Sequence, residues 1–168
     1  EDAYAMKDHL THTSPRVQDR NKPYTSAMPS DRMENEPDTD FDLKQNQEWV
    51  EKIFAKWKKS KEDVPEIIPL QIGTENIITE KRYKYLDRCQ EEDVCICEMS
   101  QANAEQVERI LSIAEADPAG WRKTKLEDRH KMMYAAANNL AEMRGDLIGC
   151  MCAVTGKTVV EGDVEVSE

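Results

Sequence analysis

From Asn103 onward, apolar residues return at helical spacing, and this rhythm constrains the fold more than any other feature of the chain. Val107, Ile110, Leu111 and Ala114 line one face of a first helix. Asn103, with Gln106 three residues on, has the layout of a capping box. Asp117-Pro118-Ala119-Gly120 ends that helix, because proline cannot continue the hydrogen-bond ladder. Thr124 with Glu127 predicts a second start of the same kind. Leu126, His130, Met133, Ala137, Leu140, Leu147 and Met151 then keep close to a seven-residue rhythm. That rhythm predicts one long amphipathic helix running to Gly156, a natural C-cap. A last acidic helix begins near Val159.

Upstream the period changes. Ile67-Ile68-Pro69-Leu70-Gln71-Ile72 and Ile77-Ile78-Thr79 are β-rich runs, and Gly73-Thr74-Glu75-Asn76 between them reads as a hairpin turn. Pro69 lacks an N–H and confines the first run to an edge or to its first residues. Asp93 to Met99 predicts one further strand. So few short strands cannot bury two faces, so they form a small platform that packs on something else. Before them, Leu43, Val50, Ile53, Phe54 and Trp57 recur at helical spacing, with Trp49 beside them. Asp42 is placed to cap that helix, and lysines gather at its end near Lys59. Its stripe requires a partner surface. The fold class is therefore α+β, mostly helical, with a short hairpin and one further strand.

Residues 1–42 are polar and interrupted by Pro15, Pro23, Pro29 and Pro37, which predicts a linker ordered only against a larger body. A short helix over Asp2 to His12 is expected before the first proline. The chain divides into an irregular leader (1–42), a linker helix (43–60) and an incomplete domain segment (61–168). It opens on Glu1-Asp2-Ala3-Tyr4, neither an initiator Met nor a signal peptide, which reads as a trimmed start.

Composition narrows the function classes. A net charge of -11 argues against a nucleic-acid partner, since a phosphate backbone needs Lys and Arg to displace its counterions. The densest basic run, Lys56-Trp57-Lys58-Lys59-Ser60-Lys61, meets Glu62-Asp63 at once and reads as the solvated end of a helix. The longest apolar stretch, Leu147 to Val154, is far short of the roughly 20 residues of a membrane span. Charged residues make up 34% of the chain and mean hydropathy is -0.78, values that fit a piece borrowing its core from something larger.

Few residues carry the marks of chemistry. Cys95 and Cys97 share one face of a strand, which is half a metal site by spacing. No second Cys or His pair stands nearby at ligand spacing, so half-buried strand residues are the better reading. Cys150 and Cys152, two apart on a helix, point to different faces and read as core thiols. An odd count of five scattered cysteines fits a reducing compartment better than a disulfide framework. His9 and His12 lie in the polar leader and read as surface residues. His130 falls on the helix stripe, as an interfacial or capped core residue. With six glycines there is neither a dinucleotide fingerprint nor a phosphate loop. No residue is assigned a catalytic, cofactor-binding or metal-binding role.

Several strings taken in order carry a family likeness. Asn35-Glu36-Pro37-Asp38-Thr39-Asp40-Phe41 resembles the junction that follows the proline dehydrogenase half of bifunctional proline utilization A enzymes. Ile68 to Gly73 with Ile77-Ile78-Thr79 looks like the hairpin that opens the aldehyde dehydrogenase half. Asn103 to Trp121 is similar to its first helix. Arg144-Gly145-Asp146-Leu147-Ile148-Gly149, Thr155-Gly156-Lys157-Thr158-Val159 and Asp163 to Glu168 resemble the helices that follow. The likeness covers about Asn35 to Glu168 and points to the glutamate semialdehyde branch of the aldehyde dehydrogenase superfamily.

The resemblance implies a parent enzyme that oxidises L-glutamate gamma-semialdehyde (1-pyrroline-5-carboxylate) to glutamate in proline catabolism, with NAD as hydride acceptor. It implies attack by a thiolate, hydride transfer and thioester hydrolysis. The family's nucleophilic cysteine, general-base glutamate and nucleotide-binding fold have no counterpart in this sequence. The expected partner is the remainder of a dehydrogenase or a larger assembly, in an oligomer. The expected location is the bacterial cytoplasm or the mitochondrial matrix, not outside the cell. Upstream, Lys7 and Asp8 stand where the proline dehydrogenase half carries two arginines that grip a carboxylate; an Asp repels that group and a Lys lacks the bidentate fork. This departure supports an alternative, a degenerate remnant kept as a non-catalytic structural subunit.

Overall fold

The computed structural model describes residues 17–25, 35–90 and 93–168. The leader helix expected over Asp2 to His12, and His9, His12, Lys7 and Asp8 with it, lie outside the described residues.

Helix α1 spans Lys44–Trp57. Its N-cap is Leu43, with no side-chain cap, so Asp42 does not take the capping role its position suggested. The lysine at the end is where expected, with Lys56 in the last turn against the negative end of the helix dipole. Part of the α1 stripe, Ile53 and Trp57, finds its partner inside the chain, while Phe54 stays exposed. Trp49, Ile53 and Trp57 form a ridge at i, i+4, i+8. That ridge lies against Gly145 and Gly149, one turn apart on helix α4 (Arg144–Thr155). Without side chains the two glycines leave a groove, and the backbones come close enough for indole to lie on backbone.

The β-run around Pro69 splits. Strand β1 (Glu66–Ile68) pairs in parallel with β5 (Cys95–Ser100), and β4 (Arg82–Leu86) pairs antiparallel on the other side of β5. Beyond Pro69, β2 (Leu70–Ile72) forms a separate hairpin with β3 (Glu75–Ile77). The missing N–H of Pro69 breaks the ladder and lets the two halves serve different sheets. The turn is tighter than Gly73 to Asn76. Only Gly73 and Thr74 lie between the strands, with Gly73 at φ 61°. Strand β4 escaped the sequence reading, although Arg-Tyr-Lys-Tyr-Leu alternates with period two. The α+β class stands, with a finer strand arrangement than a hairpin and one extra strand.

Helix α2 (Ala104–Ala116) opens with the expected box: Asn103 accepts from the Gln106 N–H, and Gln106 accepts from the Asn103 N–H. Asp117 ends it in the left-handed region at φ 47°. A short 3-10 turn, Trp121–Lys123, leads to helix α3 (Leu126–Glu142). Thr124 does not cap α3. Lys125 is the N-cap, and the Thr124 hydroxyl donates back to the Gly120 carbonyl at 3.1 Å. Nor is there one long helix. Met143 leaves helical geometry at ψ 5° and separates α3 from α4. Gly156 does cap α4, at φ 74°, and α5 (Val159–Ser167) starts at a second capping box between Thr158 and Glu161. Helix α5 packs on α4 where Gly162 meets Ile148, which has no exposed surface.

Candidate functional site

The polar centre of the chain is Arg144, at the first turn of α4 and 2% exposed. Its Nε donates to Asp163 Oδ1 at 2.7 Å, and Nη1 donates to Glu36 Oε2 at 2.9 Å. Nη2 donates to the Asp163 carbonyl at 3.0 Å and to Ser167 Oγ at 2.6 Å. Asp163 also accepts from the Thr39 N–H and the Thr39 hydroxyl, each at 2.6 Å. Burial alone would raise the Asp163 carboxyl. The hydrogen bonds from Arg144 and Thr39 outweigh it and hold the group below the usual carboxylate value.

Arg20 extends the centre into the leader. It donates to Thr39 Oγ1 at 3.0 Å, to Glu36 Oε1 at 2.8 Å and to the Pro37 carbonyl at 2.5 Å. Buried Asn46 on α1 accepts from the Arg20 N–H and donates to the Asp40 carbonyl. Thus Arg144 and Asp163 join α4 to α5, while Thr39 and Glu36 tie the leader to both. A cavity of about 480 Å³ opens beside this centre, between Arg20, Glu36, Trp49, Ala141 and Arg144. Its two guanidiniums both pair with Glu36, and Lys22, which also lines it, lies 3.6 Å from the Asp19 carboxylate. The arrangement is a structural lock.

Three of the five thiols are held in the neutral form. Burial first of all raises Cys97, Cys150 and Cys152 above the ordinary thiol value, which keeps them protonated at neutral pH. Cys95 and Cys97 are half-buried on β5, as their spacing predicted. Cys150 is half-buried and Cys152 buried, on different sides of α4. Among the described residues no group of three or more His, Cys, Asp or Glu is arranged to hold a metal ion. His130 is exposed and stacks on Tyr134 with ring centroids 6.5 Å apart, so it is not the core residue of this chain that its place on the stripe allowed, and it lies on the exposed row of α3.

Two of the helix starts are closed to an anion such as a pyrophosphate. A pyrophosphate needs free N–H groups at a helix start. The start of α2 is closed by the Asn103–Gln106 box, and that of α5 by the Glu161 carboxylate, which repels an anion.

What the chain does offer is open apolar surface. Helices α2 and α3 have no buried residue. Leu126 is 79% exposed, Met133 63% and Leu140 53%, so the seven-residue row on α3 faces outward. Val107 and Leu111 on α2 and Val160 and Val164 on α5 are also exposed. No helix among the described residues is long and apolar enough to cross a membrane.

The chain thus combines a buried polar lock with uncovered helix faces. The aldehyde dehydrogenase family model matches residues 78–168, more than half of the chain, and the chain belongs to that family. Among its relatives is the 1-pyrroline-5-carboxylate dehydrogenase of Geobacillus sp. (strain WCH70), 28% identical over 134 residues, covering 80% of this chain and 25% of that protein. The chain thus spans about a quarter of that relative. Solved structures share the fold: 1-pyrroline-5-carboxylate dehydrogenase from Thermus with bound NAD superposes with a TM-score of 0.73 at 21% identity, over 83% of this chain and 26% of that one. Proline utilization A from Bdellovibrio bacteriovorus gives 0.72 at 22% identity, over 85% of this chain and 14% of that one.

Proposed function

We propose that these residues form the N-terminal flank of an NAD-dependent aldehyde dehydrogenase acting on glutamate semialdehyde. They would be catalytically silent alone and would act by holding the leader, the small sheet and the helices in register for the rest of the enzyme. The leader (1–42) and linker helix (43–60) would clasp the domain segment (61–168) through the Arg144 centre. The supporting observation is the overlay that covers over four-fifths of this chain but only 14–26% of the known dehydrogenase chains. Open apolar faces on α2, α3 and α5 are what such a piece presents to its remainder.

In this reading the chemistry belongs to a thiolate and a cofactor site elsewhere in the enzyme. Residues 1–168, purified and given aldehyde and NAD, are expected to form no NADH above a heat-killed control. Turnover above that control would overturn the reading. The mass of the native product separates it from a non-catalytic remnant. A protein several times 19.3 kDa supports the enzyme, and one near that mass supports the remnant.

A further inference from the structure

Two groups of cysteines lie where β5 and the segment after β4 face helix α4: Cys97 is close enough to Cys150 and Cys95 to feel their charge, and Cys152 to Cys89. Of these, Cys89 and Cys152 stand apart from the others. Cys89 is exposed and Cys152 is buried. The Cys89 thiol donates to the Cys152 carbonyl at 3.1 Å. The neighbouring residues are tied in the same place, with the Arg88 N–H donating to the Ala153 carbonyl at 2.7 Å. Asp87 accepts from the Cys89 N–H at 2.8 Å and from the Gln90 amide at 2.7 Å. Gln90 also donates to the Lys59 carbonyl at 3.0 Å. The segment is therefore held against the C-terminal turns of α4, and the thiol of an exposed cysteine is fixed against the backbone of a buried one.

We propose that Cys89 and Cys152 form a peroxide-responsive thiol pair that closes to a disulfide and staples the segment after β4 to α4. In the first step the Cys89 sulfur, as thiolate, attacks one oxygen of hydrogen peroxide. An S–O bond forms, the O–O bond breaks, and the departing hydroxide takes up a proton as water, leaving a sulfenic acid. In the second step the Cys152 sulfur, giving up its proton, attacks the Cys89 sulfur. The S–S bond forms, the S–O bond breaks, and a second water leaves. Two thiols lose two electrons and one peroxide gains them.

Exposure assigns the order. Cys89 meets the oxidant, whereas burial pushes the Cys152 thiol up and shields it from direct attack. The remaining thiols are less suited. Cys95, Cys97 and Cys150 are each half-buried, and no two of them pair an exposed cysteine with a buried one.

The sequence permits a direct test on the whole unmodified chain. Cleavage after Glu91 or Glu92 separates Cys89 from Cys95 and Cys97, and cyanogen bromide cleavage at Met151 separates Cys150 from Cys152. After mild peroxide treatment and blocking of free thiols, mass spectrometry without reductant should find the Cys89 fragment joined to the Cys152 fragment. Reduction should release both, and Cys89→Ser should abolish the joined species. The triple variant C95S/C97S/C150S should still form it. Cys89 accumulating as sulfenic or sulfinic acid, or Cys152 joined to another cysteine, would overturn the proposal.

Discussion

Asp163 is the residue on which the polar centre turns, because it accepts from both Arg144 and Thr39 while almost wholly buried. Its folded-state carboxyl titrates below the unfolded value, so the unfolded chain binds more protons between the two. The stability it contributes is thus present above the unfolded carboxylate value and is lost as pH falls through the folded one. Asp163→Asn should remove that part of the acid limb. At neutral pH the same change removes one of the two carboxylates that Arg144 pairs with and leaves Glu36 at 2.9 Å, so the loss should approach but not exceed the roughly 3–5 kcal/mol of a fully broken buried pair. Urea unfolding of both proteins at a series of acidic and neutral pH values checks this. Equal stability at neutral pH, or an unchanged acid limb, would count against the role given to Asp163. Little of this centre was legible in advance. The strings Asn35 to Phe41 and Arg144 to Gly149 carried a family likeness, but Glu36 and Arg144 lie 108 positions apart and no local pattern joins them. The Asn103–Gln106 box was legible because its partners are three residues apart and its geometry is local.

At the scale of elements, the union of α1 with α4 rests on glycines. An added methyl at Gly149 would come within 2.6 Å of the Trp57 indole, at atoms that cannot move without shifting α1. At Gly145 the nearest atoms, on Ile53 and Trp49, stand at 3.4 Å, a contact that small movements absorb. Trp57 is held further by its Nε1, which donates to Asp146 Oδ1 at 3.2 Å, while Lys56 pairs with the same carboxylate at 2.6 Å. Gly149→Ala should therefore destabilise the chain by about 1–3 kcal/mol through overpacking. Gly145→Ala should cost less, since Ala gains about 1 kcal/mol in helix propensity over Gly. Thermal unfolding of the two variants side by side tests the contrast, and a larger loss at Gly145 would refute the groove. The α1 stripe was legible as a surface in need of a partner. Its partner was not, because a groove of absent side chains leaves no hydrophobic mark. The break at Met143 was hidden for a related reason. The seven-residue row runs through it unbroken, and periodicity reports which residues share a face, not where the backbone turns.

For the molecule as a whole, the α3 row decides behaviour in solution. Leu126, Met133 and Leu140 were legible as one face, and the structure leaves that face uncovered. Few apolar residues are fully buried among the described ones, chiefly on α1, α4, β2 and β5, so the internal core is small beside the surface that awaits cover. Apolar rows of this kind bury themselves against whatever complementary surface is available. In the proposed enzyme that surface is the rest of the polypeptide; for residues 1–168 alone it is another copy. Purified alone, the piece should therefore self-associate, with a scattering mass that rises with concentration. Met133→Glu with Leu140→Glu should lower that mass toward 19.3 kDa. The double change should leave the Arg144 centre and the α1–α4 groove intact, because neither uses α3 side chains at those positions. Circular dichroism on the same samples separates loss of association from loss of fold. A wild-type piece that stays monomeric at every concentration, with native-like helix content, would show that the α3 row is content in water, and the case for a covering partner would fall with it.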